Sequence, residues 1–227
     1  MIQSNYIPWR GYFDLIDDCD LFVYYDDVQY THKDWRNRNR IKTDRGPLWL
    51  SVPVSHDQDT LIEAARIDYR TRWLDKHVRS LTLAYQKAPH FRAYAPAFFD
   101  LLQARAETIS ELNVRLCAWI MAQLGIRTST RMSRDLGIAG DKAARPLRIA
   151  QYLKASAYLS GPAARPYTDA AGFSAAGIRL EFKVYDYPEY PQLHGAFEPN
   201  VTVLDLLFNC GPEARRYLKS RKPAESA

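Results

Sequence analysis

A chain of 227 residues, 47% hydrophobic and 25% charged, has the composition of a folded protein and is long enough to bury a core without metals or disulfides. Its 3 cysteines, Cys19, Cys117 and Cys210, are odd in number, far apart and form no CxxC pair. That excludes a disulfide framework or zinc ribbon and points to a reducing cytosol. The longest uncharged apolar run, Leu116 to Ile126, is about half of the roughly 20 residues a spanning helix needs, and no leader-like segment opens the chain, so neither secretion nor membrane insertion is expected. Net charge is +5 from 31 basic and 26 acidic residues, too small a surplus to indicate nucleic acid. Its distribution is uneven. From Gly11 to Gln29 there are six Asp (14, 17, 18, 20, 26, 27) and no Lys or Arg, whereas Lys33 to Arg45 carries six basic residues against Asp34 and Asp44.

In chain order, Met1 to Gln3 reads as the end of a first strand, followed by a Pro8 loop and a short amphipathic helix over about Gly11 to Asp17. Leu21 to Tyr25 is an aromatic and β-branched second strand. Leu48 to Val54 is a third, pushed to an edge by Pro53, and Leu61 to Tyr69 a fourth. Trp73, His77, Leu81 and Tyr85 recur at helical spacing, and Tyr94 to Arg105 is amphipathic once past Pro96. Thr108 and Glu111 form a capping box opening a helix to Leu124, which Gly125 stops. Strand signals return at Ile126 to Met132, Ala157 to Ser160 and Ile178 to Tyr185, with a helix around Leu147 to Lys154. After a Tyr-, Pro- and His-rich loop over Asp186 to Pro199, Asn200 caps a helix Thr202 to Asn209, and Pro212 starts a last, basic helix. No repeat or linker divides the chain. The expectation is one α/β domain over residues 1–227, a Rossmann-like mixed sheet with a helical insertion over about residues 71–125.

Several segments resemble a known family: Gln3 to Phe13, Phe22 to Tyr30, Trp35 to Lys42, Tyr85 to Phe91, Tyr158 to Pro162 with Tyr167, and Phe197 to Asn200 with Asp205 to Asn209. Together they resemble the WbqC-like family over essentially the whole chain. Members of that family usually carry several apolar residues before the Ile-Gln of the motif. Here Met1 stands directly before Ile2, so a clipped first strand or a different start is expected. The resemblance implies a role beside sugar nucleotides or carrier-bound intermediates in surface-polysaccharide or natural-product biosynthesis, with acyl or aminoacyl transfer to an amine first. An acyl-CoA or an acyl carrier protein is then the implied donor.

If the first strand, helix and second strand form a parallel pair, Gln3 to Tyr6 and Asp26 to Tyr30 leave the sheet at its carboxyl edge, where open α/β sheets bind ligands. Gln3, Asn5, Tyr6, Asp26, Asp27 and Gln29 would bring amides and carboxylates together for sugar hydroxyls, an amine or a hard cation. Alternatively the two adjacent carboxylates turn the chain, and since neighbours point to opposite sides only one would enter a site. Trp35 to Lys42 interleaves Arg36, Arg38, Arg40 and Lys42 with Asn37 and Asn39, either a solvated face or a diphosphate clamp whose amides read a sugar or base. Ser160 and Gly161, with Tyr167 following, make a small anion-binding turn or an ordinary one.

Asp205 lies on an apolar helix with Asn209 one turn on, which requires a hydrogen-bonded structural carboxylate or a raised pKa suited to acid-base work. His194 is the favoured general base, with His32 behind it, while His77 and His90 read as packing residues. Cys210, before Gly211-Pro212 at an expected helix start, is a buried small residue or a thiol that would accept an acyl group. The preferred activity is a cytosolic transferase acting on an amino-sugar nucleotide. The alternatives are a nucleotidyl or glycosyl transferase using Asp26 or Asp27 with Mg²⁺, and a non-catalytic module binding a sugar nucleotide or carrier protein. Nucleic-acid and membrane partners are not expected, nor is a resident metal.

Overall fold

The run Leu21–Tyr24 forms strand β1 of the computed structural model, which describes residues 1–140 and 144–227. Ile2 joins it as a single parallel bridge, its N–H donating to the Val23 carbonyl at 3.1 Å while Tyr25 N–H donates to the Ile2 carbonyl at 3.0 Å. On the other side β6 (Ser129–Met132) runs parallel, with Leu21 opposite Ser129 and Tyr24 opposite Met132. Helix α1 (Arg10–Asp17), buried from Arg10 to Ile16, carries the chain from Ile2 to β1. The parallel β–α–β opening is therefore present, with one bridging residue as its first strand.

Between β1 and β6 the chain makes two local antiparallel pairs and then three helices. β2 (Arg38–Thr43) and β3 (Gly46–Ser51) form a hairpin, turned by Gly46 at φ 98°, a backbone conformation open to glycine. Residues 35–42 are expected from the sequence to be either a ligand-binding run or a solvated face. The Arg/Asn alternation is the two-residue period of a strand: Asn39 and Ile41 are buried, while Arg38 and Arg40 lie on the other, half-buried face. The expected strand from 48 to 54 is cut at Pro53, which has no N–H to give a ladder. Val54 opens a separate β4 (Val54–Ser55) that pairs with β5 (Arg66–Ile67), so the expected fourth strand reduces to a 3-10 turn at Ile62–Ala64 and these two residues.

Helices α2 (Trp73–Tyr85), α3 (Phe91–Gln103) and α4 (Ile109–Gln123) fill the expected insertion, α3 starting ahead of Pro96 and containing it. Thr108 Oγ1 accepts from Glu111 N at 3.2 Å, while Glu111 Oε2 accepts from Glu107 N at 2.8 Å, so the box closes one residue early. Gly125 at φ 67° stops α4. These helices and α7 (Val203–Cys210) share the main core, around Tyr85, Phe98, Leu112, Ile120 and Phe208.

Towards the carboxyl end come α5 (Arg145–Tyr152), β7 (Ala157–Ser160), α6 (Ala170–Ala175), β8 (Arg179–Phe182) and β9 (Glu225–Ser226). β7 and β8 are parallel, β9 is antiparallel to β8, and Ala150, Phe173, Ile178 and Phe182 form a separate small core beneath them. All eight residues of α7 are buried, and its cap is Thr202, whose hydroxyl accepts from Leu204 N at 3.4 Å, in place of the expected Asn200. A 3-10 turn, Gly211–Tyr217, replaces the expected last α-helix. Gly211 there has φ 54°, and a Cβ would stand 2.4 Å from His90 Nδ1.

The fold is thus mixed α/β. Among the described residues two pairs of strands are parallel, β1–β6 and β7–β8, beside the Ile2 bridge, but the described strands fall into small separate sheets, without the continuous sheet of a Rossmann-like architecture. Strands of two to six residues that pair with chain neighbours leave little ladder to extend. The acidic stretch after Gly11 is neutralised from afar: Lys183 Nζ lies 2.8 Å from Asp14, Arg215 3.0 Å from Asp17 and Lys219 2.6 Å from Asp18. Among the described residues no helix is long and apolar enough to cross a membrane.

Candidate functional site

The loop from Gln3 to Trp9 leaves the Ile2 bridge at the carboxyl end of β1 and is bent at Ile7, whose φ is 43°. A β-branched residue in the left-handed region costs of order 1–3 kcal/mol and persists only where its surroundings over-determine it. The surroundings here do so. Ser4 N–H donates to Asp26 Oδ1 at 2.7 Å, Tyr6 N–H to the Trp35 carbonyl at 2.9 Å, and Asn113 Nδ2 to the Ser4 hydroxyl at 3.2 Å. Asn39 Nδ2 donates to the carbonyls of both Tyr6, at 3.2 Å, and Ile7, at 2.8 Å. The buried Tyr6 hydroxyl pairs with His77 Nδ1 at 2.9 Å.

Two cavities flank this loop. The larger, about 660 Å³, lies where Ile2, β1 and β7 end, and its lining includes Gln3, Tyr25, Gln29, Arg36, Tyr158, Ser160, Gly161 and Tyr167. Its size suits a small molecule. The smaller, about 180 Å³, is lined by Asn5, Pro8, Trp9, Trp35, Asn39 and Asn200. Gln3 and Asn5, two residues apart, face different cavities, as do the neighbours Arg36 and Trp35. Arg36 stands at this border: Nη1 donates to Asn5 Oδ1 at 3.4 Å and lies 3.3 Å from Asp34 Oδ2. Its Nε is buried and has no hydrogen-bond partner among the described residues. Of the arginines in the basic run, the guanidinium that reaches a cavity is that of Arg36.

The rest of that run serves the fold. Arg38 stacks over the Trp49 ring at 4.3 Å, with Arg40 5.6 Å from the same ring. Trp35 and Trp49 lie 5.5 Å apart and both are 43% exposed, an aromatic surface beside the smaller cavity. Asn37 Nδ2 donates to the Val52 carbonyl at 2.8 Å, and Asn39, although it borders the smaller cavity, spends its amide on the loop. Asp26 and Asp27 do diverge, and protein donors take both. Asp26 is fully buried and accepts from Ser4 N and, at 2.5 Å, from the Ser110 hydroxyl. Asp27 pairs with Arg145 and the Ser133 hydroxyl.

Asp205, His194, Lys42 and Asn209 come together elsewhere, lining neither cavity. Asp205 is 1% exposed; Tyr85 donates to it at 2.9 Å, Tyr190 and Gln192 also bond it, and burial raises its carboxyl above the ordinary range. Lys42 Nζ donates to Gln192 Oε1 at 3.0 Å and to the Gly195 carbonyl at 3.2 Å. Asn209 Nδ2 donates to the Asp205 carbonyl at 2.8 Å. His194, at φ 66°, uses Nε2–H on the Ala84 carbonyl at 2.7 Å. This network fastens the Tyr-rich loop to β2, α2 and α7. Cys210 ends α7 instead of opening an α-helix, and burial, with Asp205 nearby, pushes its thiol up to about 11, the reverse of an activated nucleophile.

Known proteins bear on this arrangement. The model of the WbqC-like protein family matches residues 3–217, which takes in the buried network, the smaller cavity and all of the larger one's lining except Met1 and Ile2. An uncharacterized protein of Mycobacterium tuberculosis is 45% identical over 228 residues, 96% of each chain. No solved structure matches the chain.

Proposed function

The chain belongs to the WbqC-like protein family, and from that premise we propose that it is a cytosolic group transferase, moving an acyl or aminoacyl group to the amine of an amino-sugar nucleotide in surface-polysaccharide or natural-product biosynthesis. The observation that carries this reading is the pair of cavities on either side of one strained loop, with a mostly buried guanidinium at their border. The smaller, walled by the Trp35 ring and the Asn5 and Asn200 amides, suits a sugar, whose C–H face packs on an aromatic ring while its hydroxyls bond to amides. The larger, with Tyr25, Tyr158 and Phe173 in its wall, suits an acyl donor such as an acyl-CoA or the arm of an acyl carrier protein. Arg36 offers charge either to a diphosphate or to the oxyanion of the tetrahedral intermediate. In the reaction the amine nitrogen attacks the thioester carbonyl, the C–N bond forms, the C–S bond breaks and the amine proton ends on the departing thiolate. Holding two reactants in contact supplies much of the rate.

The test is to incubate the protein with amino-sugar nucleotides and acyl- or aminoacyl-thioesters and read N-acylated product by mass. Arg36→Ala should lower kcat/KM by about 10²–10³, as loss of one oxyanion donor does. Binding of either ligand class without product would make the protein a binding module, and nucleotide turnover only with Mg²⁺ would move it to nucleotidyl or glycosyl transfer. Arg36→Ala activity equal to wild type would remove the site.

A further inference from the structure

One residue beyond the lining of the larger cavity, the chain carries a histidine that the proposed transfer does not use. His32 follows Thr31, which lines that cavity, and His56 sits in the loop after β4. The two segments are fastened together: Gln29 bridges Leu61, Tyr30 N–H donates to the Thr60 carbonyl at 2.8 Å, and Gln29 Nε2 to the Gln58 carbonyl at 2.6 Å. The Tyr30 ring, mostly buried, packs 4.8 Å from the His56 ring. The result is that His32 Nδ1 and His56 Nε2, 24 positions apart in sequence, face each other at 3.3 Å, with both residues exposed.

We propose that His32 and His56 form a two-histidine binding site for a divalent transition-metal ion of the zinc class. Two nitrogens each 2.0–2.1 Å from a tetrahedral zinc stand about 3.3–3.4 Å apart, which is the separation found here. His56 Nδ1 lies 3.3 Å from the Asp57 carbonyl. A carbonyl only accepts, so Nδ1 carries the proton and Nε2 keeps its lone pair towards His32, the outer bond that typically orients a ligating imidazole. On binding, the His32 proton moves from Nδ1 to Nε2 of the same neutral ring, which frees the Nδ1 lone pair for the ion. Among the described residues no third His, Cys, Asp or Glu joins the pair, so the remaining positions go to water or to an oxygen of a bound ligand. Imidazole pairs favour zinc, copper and nickel over magnesium. The inference stands apart from the proposed transfer reaction.

Isothermal titration of tag-free protein with ZnCl₂, NiCl₂ and MgCl₂ tests it. Zinc and nickel should bind one ion per chain and magnesium should give no heat. His32→Ala and His56→Ala should each weaken zinc by roughly tenfold or more, and the double variant should abolish binding. Independently of any variant, Cu²⁺ bound to the wild-type protein should show nitrogen hyperfine splitting by EPR. Zinc binding that the double variant retains, or a copper spectrum with oxygen ligands alone, would overturn the proposal.

Discussion

Asn39→Ala removes three hydrogen bonds at once, because Nδ2 donates to the Tyr6 and Ile7 carbonyls and Oδ1 accepts from Arg40 N at 2.8 Å. Each buried group left unpaired costs about 1–3 kcal/mol. One carbonyl can take water from the smaller cavity that Asn39 borders, and the bend at Ile7 can relax once released. These offsets bring the expected loss to about 2–4 kcal/mol, or a fall in Tm of about 5–15 °C for a chain of this size. Asn39→Asp keeps the volume and the acceptor but turns a carboxylate oxygen towards two carbonyls, so it should be less stable than the alanine variant. Urea unfolding with an unchanged slope measures both. An alanine variant within about 0.5 kcal/mol of wild type, or an aspartate variant more stable than it, would refute the view that Asn39 holds the loop.

Two further outcomes follow from burial. His77 is 4% exposed and burial pushes its imidazole down to about 4, so between pH 6.5 and 4 the unfolded chain binds a proton that the folded chain refuses. Stability is present in full above about pH 6.5 and falls by about 3 kcal/mol towards pH 4; this slope should vanish in His77→Gln, which keeps a partner for the Tyr6 hydroxyl, and equal slopes in urea titrations of the two proteins would contradict it. With the Cys210 thiol held near 11 and buried, iodoacetamide at neutral pH should label it far more slowly in native than in unfolded protein, by peptide mass; native labelling at the rate of a free thiol would restore it as a nucleophile.

Legibility in the sequence followed how local each signal was. Helix α2 runs from Trp73 to Tyr85, the residues whose spacing announced it, and Gly125 ends α4 where a left-handed residue was required. Ser160, Gly161 and Tyr167, read separately as a small turn, line the larger cavity, as do Gln3 and Gln29, which were expected to share a carboxyl edge with Asn5, Tyr6, Asp26 and Asp27, residues that do not line it. That expectation rested on strand ends gathering at a carboxyl edge, which needs only the parallel pairing of Ile2 with β1. The Arg/Asn alternation is also the period of a strand, whose inner side carries Asn39 and Ile41. Its hairpin partner, residues 46–51, overlaps the expected strand 48–54, and it is the pairing of the two that turns one side of the run inward.

Composition, hydrophobic spacing and turn residues thus determined the kinds of element, most helix boundaries and the absence of a disulfide scaffold, because each depends on a few neighbouring residues. Only the tertiary structure decided which polar residues are spent. Asp26, Asn37, Asn39, Lys42 and Asp205 look in sequence like ligand-binding groups, yet each has a partner from 15 to 150 positions away, at Val52 for Asn37 and Tyr85 for Asp205 among them, and a buried polar group must find such partners to repay its lost hydration. Arg36 is the counter-example. It lines a cavity, and among the described residues its neighbours in space, Asn5 and Asp34, leave its buried Nε unpaired.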